Sequence, residues 1–557
     1  MRSPIEKRRG ILRSAAALIE TLQRNGIFHI FGLPGSTEAP LLDALLDYPE
    51  MHYVLALHEG IVVGMADGFA RASGRPAVAN LHTTVGVGNG LTALFNAWKD
   101  NSPVVTIATH KHSEILGRDG FCVGPDLPEW ARPVTKWAWQ GVKADQIPQE
   151  VGRALKIAQN TPSGPVFLAY PEDMLGMEIT GNDIRENGQI SEGFAPSMDQ
   201  MSAITKKLLN ARSPICIAGD EVSATGAAVL VERFSELWNI PVLQESRRSA
   251  VTWNVATNFK NYAGEYSSNH PLVKDADVIF ALGPRLSVEF SPVKQPDVPA
   301  NAELIHIHRN PSEVGKLYQP SIGLVASVAA VLEELCRGSW ETQNNYVYQN
   351  WRTAHNGAAG GTGANHAMDS SALCNIGLLS RALARIAPSE TAVVDESIRS
   401  SPALLANYPL RPGNYFHTSG GGLGWGLPVA LGVQLAWPER PVLAYIGDGS
   451  LMFTVQALWT AARENLPVKI VVPNNRKYLA VKAGLVAYKG QAVEKGRFMG
   501  VDLTPPNIDI VSLAGGFGVE GRIVQSQSEL DPALEWAFSH DGPALVDVLV
   551  EEDLGES

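Results

Sequence analysis

The segment richest in chemistry is Ile446-Gly447-Asp448-Gly449-Ser450, between an apolar run (442–446) and a predicted helix (455–465). Ligands of open α/β sheets bind where parallel strands end. A carboxylate there is a hard oxygen ligand suited to Mg²⁺ or Ca²⁺. The small neighbours of Asp448 let a phosphate approach the N–H groups at the helix start. Further on, a second apolar run ends in Pro473-Asn474-Asn475, whose amide oxygens could complete the coordination. A lone Gly-Asp-Gly is a common turn signal; paired with a spaced Asn-Asn at another strand end it is far more specific.

Three more residues have the right type and place. Glu59 follows the apolar run 53–57, and His82 follows the run 76–81. Ser36 lies in the turn Leu33-Pro34-Gly35-Ser36. Taken alone, Glu59 reads equally as a charge favoured at a helix N-terminus, and a lone histidine is often structural.

The elements that position these residues alternate between short strands and helices. A helix at 12–25, a strand at 27–31, a helix at 60–73 and strands at 76–81 and 104–108 form a first unit ending near residue 171. A second unit has strands at 214–218, 241–243, 278–282 and 304–307, and a helix at 227–238. A third begins near 372, with strands at 392–394, 442–446 and 468–472. This pattern predicts an α/β fold of three doubly wound parallel-sheet domains, 1–185, 195–340 and 370–557. The stretches 172–200 and 344–369 read as linkers, the latter rich in glycine.

At 557 residues, a chain that is 45% hydrophobic and 18% charged has ample material for several buried cores. The net charge of −12 argues against nucleic acid as a partner. No run approaches the roughly 18 apolar residues of a membrane span. Arg13 and Glu20 interrupt the apolar pattern after Ile11, which argues against a signal peptide. Cys122, Cys216, Cys336 and Cys374 are too scattered for a disulfide framework and point to a reducing, cytoplasmic location.

Gly447-Asp-Gly-Ser450 with Asn474-Asn475 resembles the cofactor motif of thiamine-diphosphate-dependent enzymes. Phe31-Gly-Leu-Pro-Gly-Ser36, Leu57-His-Glu59, Ala66-Asp-Gly-Phe-Ala70, Asn80-Leu-His82 and Gly420-Gly-Gly-Leu-Gly424 resemble further segments of the same family, in the same order. Within it the chain is most similar to the benzoylformate decarboxylases, over nearly its whole length. The resemblance implies a pyrimidine-binding, a middle and a diphosphate- and metal-binding domain. It implies that Glu59 meets the aminopyrimidine ring and promotes the tautomer that activates the thiazolium carbon. Leu423, flanked by Gly422 and Gly424, matches the apolar wedge that bends the cofactor, with Gly421 among the cofactor contacts, although a core leucine next to a Gly-rich turn remains the other reading. Asp448, Asn475 and the carbonyl of Lys477 match the metal ligands. Gly447, Gly449, Ser450 and Tyr478 match the diphosphate contacts, and Ser36 and His82 the groups that bind substrate and relay protons.

The implied activity is non-oxidative decarboxylation of a 2-keto acid, with carboligation as a branch. Alternatives are a carboligase or lyase of the acetolactate synthase or benzaldehyde lyase type, acting on keto acids or aldehydes, and a non-catalytic cofactor-binding paralogue. The implied assembly is at least a homodimer, with a tetramer expected. The chain departs from the pattern in three places. The middle-domain segment 283–290 lacks the family's histidine and offers Glu289 or Phe290 instead. Arg399 replaces a small hydroxyl residue, and the segment after Asn475 differs in its pocket residues. His110 and His112 lie near a strand end, out of register with histidines of related decarboxylases.

Overall fold

Short apolar runs that are buried on both faces cannot alternate polar and apolar residues, and they assemble here into parallel sheets covered by helices. The computed structural model describes residues 11–180, 184–188, 195–286, 288, 296–338 and 372–552. Its first sheet holds β1 (His29–Gly32), β2 (His52–Leu55), β3 (Ala77–His82), β4 (Val104–His110), β5 (Trp137–Gln140) and β6 (Val166–Pro171). The second holds β7 (Pro214–Ala218), β8 (Val242–Gln244), β9 (Tyr262–Glu265), β10 (Val278–Leu282), β11 (Glu303–Ile307) and β12 (Ile322–Leu324). The third holds β13 (Ala392–Glu396), β14 (Tyr415–Phe416), β15 (Val442–Ile446), β16 (Lys469–Asn474), β17 (Glu520–Val524) and β18 (Ala544–Leu549).

All three sheets have six strands, paired in parallel, as the sequence predicts. The first and third share one order, β2-β1-β3-β4-β6-β5 and β14-β13-β15-β16-β18-β17. Their switch points, where the order reverses and a crevice opens, lie between β1 and β3 and between β13 and β15. The middle sheet differs, with the order β9-β8-β7-β10-β11-β12.

One expectation needs correction. Part of 172–200 is secondary structure rather than linker. Glu172–Gly176 is a helix, Glu178–Thr180 pairs antiparallel with Ile11–Arg13, and Met198 begins another helix. A three-residue strand is too short to show a period, and its partner lies at the far end of the domain. The predicted linker 344–369 lies outside the described residues.

Four helices frame the candidate site: α1 (Glu59–Ser73), α2 (Thr83–Lys99), α3 (Gly426–Ala436) and α4 (Leu479–Tyr488). Helix α3 is apolar on every side, and most of its residues are buried, as expected of a helix enclosed all round. It crosses α1 at backbone contact. A Cβ on Gly68 would lie 2.2 Å from the Val429 carbonyl oxygen, and one on Gly432 would lie 2.0 Å from that of Met65. Only glycine lets the first and third sheets dock this closely.

Two buried arginines reinforce the junction. Arg71 of α1 lies over the Phe416 and Trp425 rings and 3.6 Å from Asp100. Arg285, just after β10, donates to the Lys99 carbonyl at 2.7 Å and to Ser419 Oγ at 3.0 Å, so the middle domain touches both others. Because the α1–α3 crossing has no spare room, Gly68→Ala is expected to destabilise the chain by about 1–3 kcal/mol through overpacking. An unchanged urea midpoint would contradict this account of the crossing.

Candidate active site

Chemically capable side chains gather at the two switch points and at the start of α1. At the first switch point, β1 ends at Gly32 and a short turn leads to a single 3₁₀ turn, Ser36–Glu38. Adjacent β3 ends at His82. The Glu38 carboxylate is fully buried. Its Oε2 accepts from the Gly35 N–H at 2.8 Å, from Thr37 Oγ1 at 3.1 Å and from His82 Nδ1 at 2.9 Å. An acceptor on Nδ1 fixes the proton there and leaves Nε2 as the nitrogen available to a ligand. Glu38 Oε1 is buried without a hydrogen-bond partner. Ser36 lies exposed on the same turn.

Glu59 is the first residue of α1. His58 caps the helix, its ring accepting the Gly60 N–H at 3.0 Å. Glu59 is only 6% exposed, and its Oε2 accepts from Asn89 Nδ2 of α2 at 3.0 Å. The room for the carboxylate comes from α2, where a Cβ on Gly86 would lie 3.0 Å from Glu59 Oε1.

At the switch point of the third sheet, Asp448 follows β15 and is 6% exposed. Burial pushes its carboxyl up to about 6, against the lowering effect of backbone N–H groups at Gly449, Arg476 and Lys477. Its Oδ2 is buried without a hydrogen-bond partner. The turn after β16 presents Asn474, whose Oδ1 accepts from Arg476 N at 3.0 Å, and Asn475, whose Oδ1 accepts from Lys477 N at 3.0 Å. Asn474 Nδ2 donates to Asp547 at 3.0 Å. A small cleft beside this turn is lined by Asp448, Asn474, Arg476, Leu503 and Asn507, among others. Tyr478 packs close over Gly449, and Ser450 is buried beside it.

Among the described residues no group of three His, Cys, Asp or Glu side chains is placed to hold a metal ion. A cation here would rest on one carboxylate plus amide and carbonyl oxygens. The orphaned Asp448 oxygen fits that role, and a hard divalent ion would suit such a donor set.

The third part is the turn before α3. Leu423 is half-buried in it, and Gly421 and Gly424 take left-handed φ values of 76° and 84°. Asn96 of α2 grips Gly422 at two points, Nδ2 to its carbonyl at 2.9 Å and Oδ1 from its N–H at 3.0 Å. Asp100 accepts from both the N–H and the hydroxyl of Ser419. From the other side, the buried Glu396 at the end of β13 accepts the N–H groups of Gly424, Trp425 and Gly426. Burial pushes this carboxyl up to about 7.

The structure thus gathers Asp448, Asn475, Lys477, Tyr478, Gly447, Gly449 and Ser450 around one strand-end crevice, and His82 with Ser36 around another. The remaining candidates have local duties. His110 is buried, with Nδ1 accepting the Lys111 N–H, and burial pushes its imidazole down. The His112 ring accepts the Glu114 N–H. Arg399 is half-buried beside Ile398. Glu289 and Phe290 lie outside the described residues. The sequence reading missed Glu38, Asn89, Asn96 and Glu396. Only the Ser-Thr-Glu turn held any local signal, a glutamate three residues after Gly35 whose carboxylate accepts the Gly35 N–H.

Three models of the thiamine pyrophosphate enzyme match: the N-terminal TPP binding domain over residues 12–127, the central domain over 201–335 and the C-terminal TPP binding domain over 400–548. The chain is 31% identical to a benzoylformate decarboxylase of Pseudomonas aeruginosa, covering 96% of this chain and 98% of that one. It is 26% identical to the acetolactate synthase isozyme 1 large subunit of Escherichia coli, over 97% and 94%. Its fold matches a thiamine diphosphate-dependent 4-hydroxybenzoylformate decarboxylase of Rhodococcus jostii with a TM-score of 0.85, at 27% identity over 98% of this chain and all of that one.

Glu38→Ala would leave Gly35, Thr37 and His82 without their buried acceptor. It is expected to cost about 1–3 kcal/mol in urea unfolding. The exposed neighbour Ser36→Ala should stay within about 0.5 kcal/mol. Equal effects of the two would argue against Glu38 as the organiser of this turn.

Proposed function

The chain belongs to the thiamine pyrophosphate enzyme family, and from that premise we propose that it catalyses non-oxidative decarboxylation of a 2-keto acid, with carboligation as a branch. The observation that carries this reading is Glu59, a buried carboxylate at the head of α1 held by a single amide donor, in a chain similar from end to end to a benzoylformate decarboxylase. The domains we assign are 1–185 for the pyrimidine, 195–340 as the middle domain, and 370–557 for the diphosphate and metal; the three family matches fall inside these bounds.

When bound, thiamine diphosphate would supply a nucleophilic thiazolium carbon and an electron sink for the pair left behind as carbon dioxide departs. Asp448, Asn475 and the Lys477 carbonyl would hold Mg²⁺, with Ca²⁺ as a substitute. Gly447, Gly449, Ser450 and Tyr478 would cradle the diphosphate, and Leu423 with Gly421 would pack against the cofactor. Glu59 would hold a proton on its carboxylate toward the pyrimidine ring. His82 presents Nε2, and Ser36 its hydroxyl, to the substrate carboxylate and the nascent oxygen. Glu38 keeps His82 in the required tautomer.

The similarity to an acetolactate synthase supports a second reading, in which a second carbonyl compound rather than a proton captures the product. A panel of 2-keto acids with thiamine diphosphate and Mg²⁺ separates the two. Carbon dioxide and aldehyde without an added acceptor indicate a decarboxylase; a hydroxyketone as the main product indicates a carboligase. Cofactor binding with neither product would favour a non-catalytic paralogue.

A homodimer or tetramer is part of the proposal. Leu57, Val85 and Phe453 are exposed apolar residues flanking Glu59, Gly86 and Gly424, and Val481 and Tyr488 leave α4 largely uncovered. Such clusters mark interaction surfaces. Four free cysteines are consistent with the cytoplasm. Among the described residues no helix is long and apolar enough to cross a membrane.

Glu59→Gln should cut turnover by roughly 100-fold or more, the scale of a lost proton-transfer group, while calorimetry shows cofactor affinity largely kept. A fully active variant would remove Glu59 from the mechanism. Asp448→Ala, or chelation of the wild type with EDTA, should abolish the Mg²⁺-dependent part of thiamine diphosphate affinity. Binding that ignores both treatments would refute the metal site.

A further inference from the structure

We propose that Glu396 is a positioning residue that sets the spacing between the two halves of the cofactor site. The inference rests on the assignment of Leu423 as the cofactor wedge and goes beyond it by naming what holds the wedge.

The Glu396 carboxylate is buried at the end of β13. Oε1 accepts from Gly424 N at 2.8 Å and Trp425 N at 3.2 Å, and Oε2 accepts from Gly426 N at 2.8 Å. These are the residues that immediately follow Leu423 and open α3. A helix normally meets its first N–H groups with the side chain of its own N-cap. Here the N-cap is Trp425, which makes no such bond. The anion is supplied instead by a strand of the sheet.

The same residue reaches the other half of the site. Its backbone carbonyl accepts from Gly447 N at 3.3 Å, one position before Asp448. One side of Glu396 therefore fixes the wedge turn, and the other meets the loop proposed to clamp diphosphate and metal. The packing leaves little slack, because a Cβ on Gly426 would lie 2.8 Å from Glu396 Cβ. Thr454 Oγ1 steadies the turn from a second direction by donating to the Gly424 carbonyl at 2.9 Å.

Glu396→Gln keeps the shape but puts an amide donor against a backbone N–H. A ligand that spans both halves should feel this change, and a ligand that touches only the clamp should not. The test is calorimetric titration of the folded variant, with Mg²⁺ present, using thiamine diphosphate and separately inorganic pyrophosphate. The expected result is at least a tenfold weaker Kd for thiamine diphosphate and a pyrophosphate Kd within twofold of the wild type. In the cofactor-free protein, amide exchange at residues 424–426 should speed up. Equal losses for both ligands, or no loss for either, would overturn the proposal, since a purely stabilising residue does not discriminate between them.

Leu423→Ala is the control for the underlying assignment. If it leaves thiamine diphosphate affinity unchanged, the wedge assignment fails and the inference fails with it. If Leu423→Ala weakens binding while Glu396→Gln does not, only the inference fails. The double variant should lose less than the sum of the single losses, because both act on one turn. Should Glu396→Gln not fold, Thr454→Val is expected to show the same ligand discrimination at roughly threefold, and its absence would equally overturn the proposal.

Discussion

The backbone-to-backbone crossing of α1 and α3 is the constraint on which the rest of the structure depends. Gly68 and Gly432 sit where any side chain would strike a carbonyl of the other helix. Helix α1 begins at Glu59, and α3 begins three residues after Leu423. The two residues with the most specific proposed roles toward the cofactor's rings thus stand at the heads of helices locked to each other. Their relative placement within one chain is inherited from packing rather than from any direct bond between them.

Around this crossing the protein buries many carboxylates and treats them in three ways. Asp67 and Glu245 are pushed above the usual carboxylate range chiefly by burial, with arginine charges working against that shift. Their surroundings join the domains. Glu396 and Asp448 are also raised by burial, but what opposes it is backbone N–H groups rather than a cation. Backbone dipoles favour the charged form of such an acid but bring no cation, so any negative field at the mouth of its strand is left uncompensated. That field suits the clamp of a divalent ion and the anchor of a turn. At the first switch point Glu38 takes a third course, spending its carboxylate on a histidine, a hydroxyl and a backbone N–H.

The sequence made the fold class legible because strands buried on both faces are continuous apolar runs, and their ends coincide with Gly, Asp and His. The placement of Asp448 and Asn475 was legible for the same reason: both sit at strand ends with strong local signals. Glu38, Asn89, Asn96 and Glu396 had no such signal, because each takes its meaning from a partner on another element. Glu38 meets His82 only because β1 and β3 are neighbours in a sheet whose order reverses there. Glu396 gains its role from a helix that starts some thirty residues later. The stretch 172–200 looked featureless because its strand is short and pairs with the other end of the domain.

The turn at Ser419–Gly426 is gripped from three domains, by Asn96 and Asp100 of the first, Arg285 of the middle and Glu396 of the third. A chain emerging from the ribosome can therefore complete its first two sheets without possessing this turn in its final shape. The turn reaches its full set of hydrogen bonds only once all three domains have docked.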